Sequence, residues 1–109
     1  MNNEKPAYMM VKLHIKDLDD YMARYVTPLA AMFESYGIEV LAASGETQVL
    51  EGEWDENWTV ILKFPSLKTA QSWYNSEEYE PLKALRINEL TSGGSAVFVE
   101  GFDAAALGL

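Results

Sequence analysis

A chain of 109 residues with a formal net charge of −9 suits one domain. That charge argues against nucleic acid, which needs clustered Lys and Arg, and equally against an anionic membrane surface. There is no cysteine and one histidine, His14, which excludes thiol nucleophiles, disulfides, thiolate metal sites and a multi-histidine metal site within one chain.

The N-terminal MNNEKPAYMM lacks the long apolar run of a signal peptide. No stretch approaches the roughly 20 apolar residues that cross a bilayer, so a cytoplasmic protein is expected. Tyr8 to Ile15 alternates as a first strand, with Met9, Val11, Leu13 and Ile15 on an apolar face and Tyr8, Met10, Lys12 and His14 on the other. Asp17 suits a helix N-cap, with Asp19 and Asp20 in the first turn. Leu18, Tyr21, Met22, Tyr25, Leu29, Met32, Phe33 and Tyr36 then follow helical spacing. Pro28 predicts a kink, because it cannot donate to the Arg24 carbonyl. Gly37 ends the helix.

Ile38 to Ser44 reads as a second strand, resumed over Thr47 to Glu53 after a bend at Ser44-Gly45-Glu46. Trp54 and Trp58 flank the acidic tip Asp55-Glu56-Asn57. The third strand is Trp58 to Phe64, with Val60, Leu62 and Phe64 on one face and Thr59, Ile61 and Lys63 on the other. Pro65 stops it and Ser66 caps a second helix, which Asn75-Ser76 breaks and Ser76 restarts. Pro81 falls early in the new segment, where its missing donor costs least. Ser92-Gly93-Gly94 reads as a turn, and Ser95 to Gly101 as the fourth strand. The tail, 102–109, has no clear pattern.

The order β-α-β-β-α-β predicts an α+β, ferredoxin-like domain over residues 1–109, with its core in 8–101. Its four-stranded antiparallel sheet carries both helices on one face. The other face holds Tyr8, Met10 and Ile61, too apolar for open water, so a homodimer stacked face to face is expected.

The chain resembles the family named domain of unknown function 1330, within the dimeric α/β-barrel superfamily. The resemblance runs from Tyr8 to Gly101. It is carried by Leu50-Glu51-Gly52, Phe64-Pro65-Ser66, Trp73-Tyr74 with Ser76, Tyr79 and Arg86, and Val99-Glu100-Gly101. It implies a ferredoxin-like fold, a dimer and no established reaction. Superfamily relatives include cofactor-independent monooxygenases, small isomerases and haem-handling enzymes, among which the fold cannot choose. The resemblance implies that members often carry arginines where this chain has Ala43 and Trp58; if those arginines bind an anionic ligand, two anchors are missing here, and a more apolar ligand, or none, is implied.

Tyr79 and Arg86, seven apart, share a helix side and could frame a pocket mouth with Trp73 as its wall, or all three could simply anchor the core. His14 is the candidate general base, with Lys12 and Lys63 making the uncovered face locally basic. The alternative is a histidine bonded across the dimer and lysines reaching solvent. Glu51 could be a catalytic carboxylate; a bridge to Arg86 or a lysine is the expected role, and on that basis Arg86→Leu should destabilise. Trp58 and Ile61 complete the ligand-binding candidates. No metal or cofactor is expected. Two classes stay open: a protein binding or transforming a small organic molecule in the barrel cleft, and a non-catalytic dimeric interaction module.

Overall fold

The computed structural model describes residues 5–108; Met1 to Glu4, part of the stretch read for a leader, and Leu109 lie outside them. Four strands form one antiparallel sheet in the order β2-β3-β1-β4. They are β1 (Ala7–Ile15), β2 (Glu39–Ser44), β3 (Trp58–Phe64) and β4 (Thr91–Glu100). The alternation of β1 appears as burial: Met9, Val11, Leu13 and Ile15 are buried, while Met10 and His14 are exposed. The register sets Met9 opposite Leu62 and Phe98 on the inner face, and Met10 opposite Ile61 and Val97 on the outer.

Helical segments join β1 to β2 and β3 to β4, and both pack on the inner face. The first spans residues 18–36. Asp17 caps it by accepting the Asp20 N–H, and Gly37 closes it at φ 66 in the left-handed region. At Pro28 the helix widens instead of simply kinking. A π turn, Met22–Val26, precedes the proline, with the Thr27 N–H and hydroxyl both donating to the Met22 carbonyl. A looser turn at Ala31 and Met32 follows. The second segment spans residues 67–90. Ser66 caps Leu67–Tyr74 through the Thr69 N–H, and Ser76 receives the Tyr79 N–H before the helix resumes at Glu80–Leu85. It ends in a second π turn, Arg86–Leu90.

Two expectations fail. Thr47 to Glu53 is not a strand. β3 pairs with Glu39–Ser44 from Lys63 back to Thr59, next to its first residue, so the residues beyond Ser44 have almost no strand left to join. They form an exposed arm, with Leu50 85% exposed. Trp54 folds back from the arm over the outer face, where its indole N–H donates to the Thr59 hydroxyl and the Lys12 ammonium lies over its ring. Ser92-Gly93-Gly94 is not a turn but the start of β4. A side chain at Gly94 would collide with the Lys12 carbonyl oxygen and the Leu13 backbone, and its φ of 147 favours glycine in any case.

Asn57 joins β1 to the start of β3. Its side chain accepts the Ile15 N–H and donates to the Ile15 carbonyl, standing in for a ladder partner. On the outer face Met10, Val97 and Val99 stay exposed. Among the described residues, no helix is long and apolar enough to cross a membrane.

Candidate functional site

The inner face of the sheet and the two helical segments do not close completely on each other. Between them lies a cavity of about 220 Å³. Met9, Val11 and Leu13 of β1 with Trp58, Val60 and Leu62 of β3 form its floor. Tyr21, Tyr25 and Leu29 contribute from the first helical segment, and Trp73 and Arg86 from the second. Its polar side chains are few: two phenols, the ring N–H groups of Trp58 and Trp73, and one guanidinium.

These side chains belong to one aromatic cluster. Tyr21 stacks on Tyr25 with ring centres 5.2 Å apart, and Trp58 meets Tyr21 edge-on at 6.5 Å. The Tyr25 and Tyr79 hydroxyls share a hydrogen bond, and the Tyr79 ring lies 4.1 Å from that of Trp73. Tyr79 also lies close enough to Arg86 to raise its pKa. Tyr25 and Arg86 each stand in a π turn. Such turns are rare and recur at functional sites, because the widened backbone re-aims a side chain. The Arg86 turn is held by the Thr91 hydroxyl, which donates to the Arg86 carbonyl.

Arg86 is only 6% exposed, and among the described residues it has no carboxylate partner within salt-bridge distance. Its buried Nη2 has no hydrogen-bond acceptor there. Burial opposes the charge of Arg86; Tyr79 and Tyr25 raise its pKa chiefly by Coulombic attraction, which acts only where a phenol has ionised and so does not offset burial while the phenols are neutral. Burial pushes the Tyr21 phenol up to about 12, against an opposing pull from Arg86, and raises Tyr25 well above its usual value. A buried guanidinium therefore lies at the wall of a largely apolar cavity, beside phenols that are neutral at physiological pH.

The raised phenols predict a response to alkali. Tyr21 ionises near 10.0 when unfolded and near 12 when folded. The unfolded chain releases its proton first, so this contribution to stability is complete below pH 10.0 and is lost as pH rises through about 12. Absorbance of tyrosinate should show Tyr21 and Tyr25 ionising only as circular dichroism reports unfolding. Ionisation of every tyrosine near pH 10 in a folded protein would contradict this.

Of the residues singled out in the sequence, Trp58, Trp73 and Arg86 line the cavity, and Tyr79 backs it. Lys12, His14, Ile61 and Lys63 lie on the outer face of the sheet. Lys12 and Lys63 do not converge there. Lys63 pairs with Tyr8, and Tyr8 and Lys12 are four positions apart, about 13 Å of strand. Glu51 is exposed on the arm and does not bridge Arg86. The failed strand explains this, since without a ladder nothing carries Glu51 toward the sheet.

Tyr21 and Tyr25 were legible only as an apolar stripe. The usable signal was chemical: two phenols on a buried helix face need partners for their hydroxyls.

Solved structures share the architecture. A protein of unknown function from Rhodopseudomonas palustris matches with a TM-score of 0.68 at 17% identity, over 93% of this chain and 85% of its own. Its methylated form gives a TM-score of 0.72 at 12% identity, over 93% and 84%. A dimeric ferredoxin-like protein of unknown function from Thermobifida fusca gives 0.58 at 10% identity, over 92% and 94%. At these identities the likeness establishes the ferredoxin-like fold. No curated protein matches the sequence. Residues 6–102 match the family described as domain of unknown function (DUF1330), and the chain belongs to that family.

Proposed function

We propose that this protein binds a small organic anion with an apolar body in the cavity between helices and sheet, and that it does so as a homodimer paired through the outer face. The observation that carries the proposal is Arg86, a buried guanidinium with an unused N–H and no carboxylate partner among the described residues. An unpaired buried charge costs several kcal/mol unless something neutralises it. A ligand carboxylate or enolate would do so. The Tyr25–Tyr79 pair has two hydroxyl protons and one shared bond, which leaves a phenolic proton available to the same ligand.

Size and lining narrow the ligand. The cavity, about 220 Å³, is below the roughly 300–1,000 Å³ of sites for drug-sized molecules. A single ring or a short branched chain fits. No carboxylate or imidazole is among the lining residues. The cavity wall can therefore hold and polarise a developing negative charge, but it offers no general base. His14 is on the far side of the sheet and takes no part in this site.

Calorimetric titration with benzoate and its uncharged counterpart benzamide tests the proposal. A hydrogen bond to a charged group is worth about 1.5–3 kcal/mol, or roughly 10–100-fold in affinity. Benzoate should exceed benzamide by that factor, and Arg86→Met should erase the preference. Equal affinities in the native protein, or no binding of benzoate, would overturn it.

A further inference from the structure

We infer that the arm, residues 45–57, is a clasp for a second copy of this chain, seating Val49 and Leu50 on the partner and bringing its carboxylates to the partner's Lys63. This inference rests on the homodimer proposed above and goes further in fixing which ends of the two sheets meet.

Within its own chain the arm has little to hold it. It belongs to no strand or helix, and all of its residues except Glu56 are exposed. Val49 exposes 50% of its accessible area and Leu50 85%. Thr47 to Glu51 curve with Trp54 around an open hollow of about 380 Å³. Single exposed apolar residues are ordinary. Here two adjacent ones border a hollow, on a segment that leaves the sheet at the rim of its apolar outer face. Trp54 ties the arm to that face through the Thr59 hydroxyl and the Lys12 ammonium. The arm therefore continues the surface on which the second copy sits.

Charge decides where on the second copy it lies. The arm carries Glu46, Glu51, Glu53, Asp55 and Glu56, and no lysine or arginine. None of these carboxylates is in an ion pair among the described residues, and neither are Lys12 and Lys63 of the outer face. Lys12 already covers the Trp54 ring. Lys63 stands at the far end of the face: it pairs with Tyr8, whereas Thr59, beside the arm, pairs with Lys12. Glu39, opposite Lys63 on β2, makes no ion pair with it. Met10 and Ile61 pair midway between the two ends.

Two such faces can stack about a two-fold axis that runs along the strands or across them. An axis along the strands brings like ends together, so the two acidic arms crowd each other, and juxtaposed like charges are costly. An axis across the strands, through the row of Met10 and Ile61, exchanges the ends. Each arm then lies over the Lys63 end of the other chain. The charges select this second arrangement.

Carbodiimide, which joins a lysine to a carboxylate in direct contact, reads the arrangement when applied to an equal mixture of isotopically light and heavy protein. Peptides linking Lys63 to an arm carboxylate should carry one light and one heavy half. Leu50→Ser should weaken the dimer about tenfold or more in sedimentation velocity, and the monomer should keep its circular dichroism spectrum because Leu50 is exposed in its own chain. A dimer without a light-to-heavy bond between Lys63 and the arm, or one whose affinity Leu50→Ser leaves unchanged, would overturn the clasp while leaving pairing through the outer face intact. A tetramer that Leu50→Ser reduces to a dimer would place the arm between dimers and overturn it as well. A native protein that stays monomeric at micromolar concentration would overturn both the clasp and the homodimer.

Discussion

Arg86→Met is expected to melt at or above the temperature of the native protein while losing its preference for an anion. Arg86 is 6% exposed and has no carboxylate within salt-bridge distance among the described residues. Its positive charge is kept from water without an opposite charge in return. Methionine has a similar length, fills irregular apolar space and needs no partner. The substitution gives up the contact with Tyr79, but Tyr79 and Tyr25 still bond each other. Replacing buried ionic groups by apolar ones of similar volume can stabilise by about 1–4 kcal/mol. For a domain of this size each kcal/mol moves the melting temperature by about 4–8 °C. Differential scanning calorimetry without ligand is the measurement. A fall of several degrees would mean that the guanidinium chiefly holds the tyrosines in place, and would count against its being reserved for an anion.

The sign of that effect reverses the expectation drawn from the sequence, and the reason is specific. Helical spacing placed Arg86 on one side with Tyr79, and the structure keeps both in the same cluster. Glu51 was assigned to a strand that would have carried it toward the sheet. A strand needs a neighbour, and β3 has almost no residues left to offer one. Local chemistry was a better guide where the deciding partner is close in sequence. Asp17, Ser66 and Ser76 cap helices because each side chain meets an N–H three residues on. The alternation of β1 appears as burial because one face meets helices and the other does not.

Gly93 and Gly94 carry turn composition, yet Gly94 serves a close approach of β4 to β1 that only the folded sheet reveals. The cavity was illegible for a related reason. A hydrophobic pattern shows which side chains turn inward, but not whether they fill the space they enclose. Trp58, Trp73 and Arg86 could be singled out one by one. That they meet Tyr21 and Tyr25 on the inner side of the sheet follows from the register of β1 and β3 and from the two π turns.

Ile61→Asp is expected to separate the proposed homodimer while leaving each chain folded. On the outer face Met10, Val97 and Val99 expose 41%, 54% and 44% of their accessible area. Ile61 sits at the middle of that face, opposite Met10 on β1 and Ala42 on β2. Two such faces stacked about a two-fold axis would bury one another. The axis doubles the effect of a substitution, since each dimer receives two new carboxylates. Each unpaired buried charge costs about 3 kcal/mol or more, so the pair costs about 6 kcal/mol, or roughly four powers of ten in affinity. In an isolated chain Ile61 is only half-buried, so the new carboxylate can reach water and the monomer should keep its circular dichroism spectrum. Ile61→Val, which retains an apolar side chain, should remain dimeric. Sedimentation velocity at micromolar concentration distinguishes these species. A native protein that sediments as a monomer, or an Ile61→Asp protein that stays dimeric, would rule out pairing through this face.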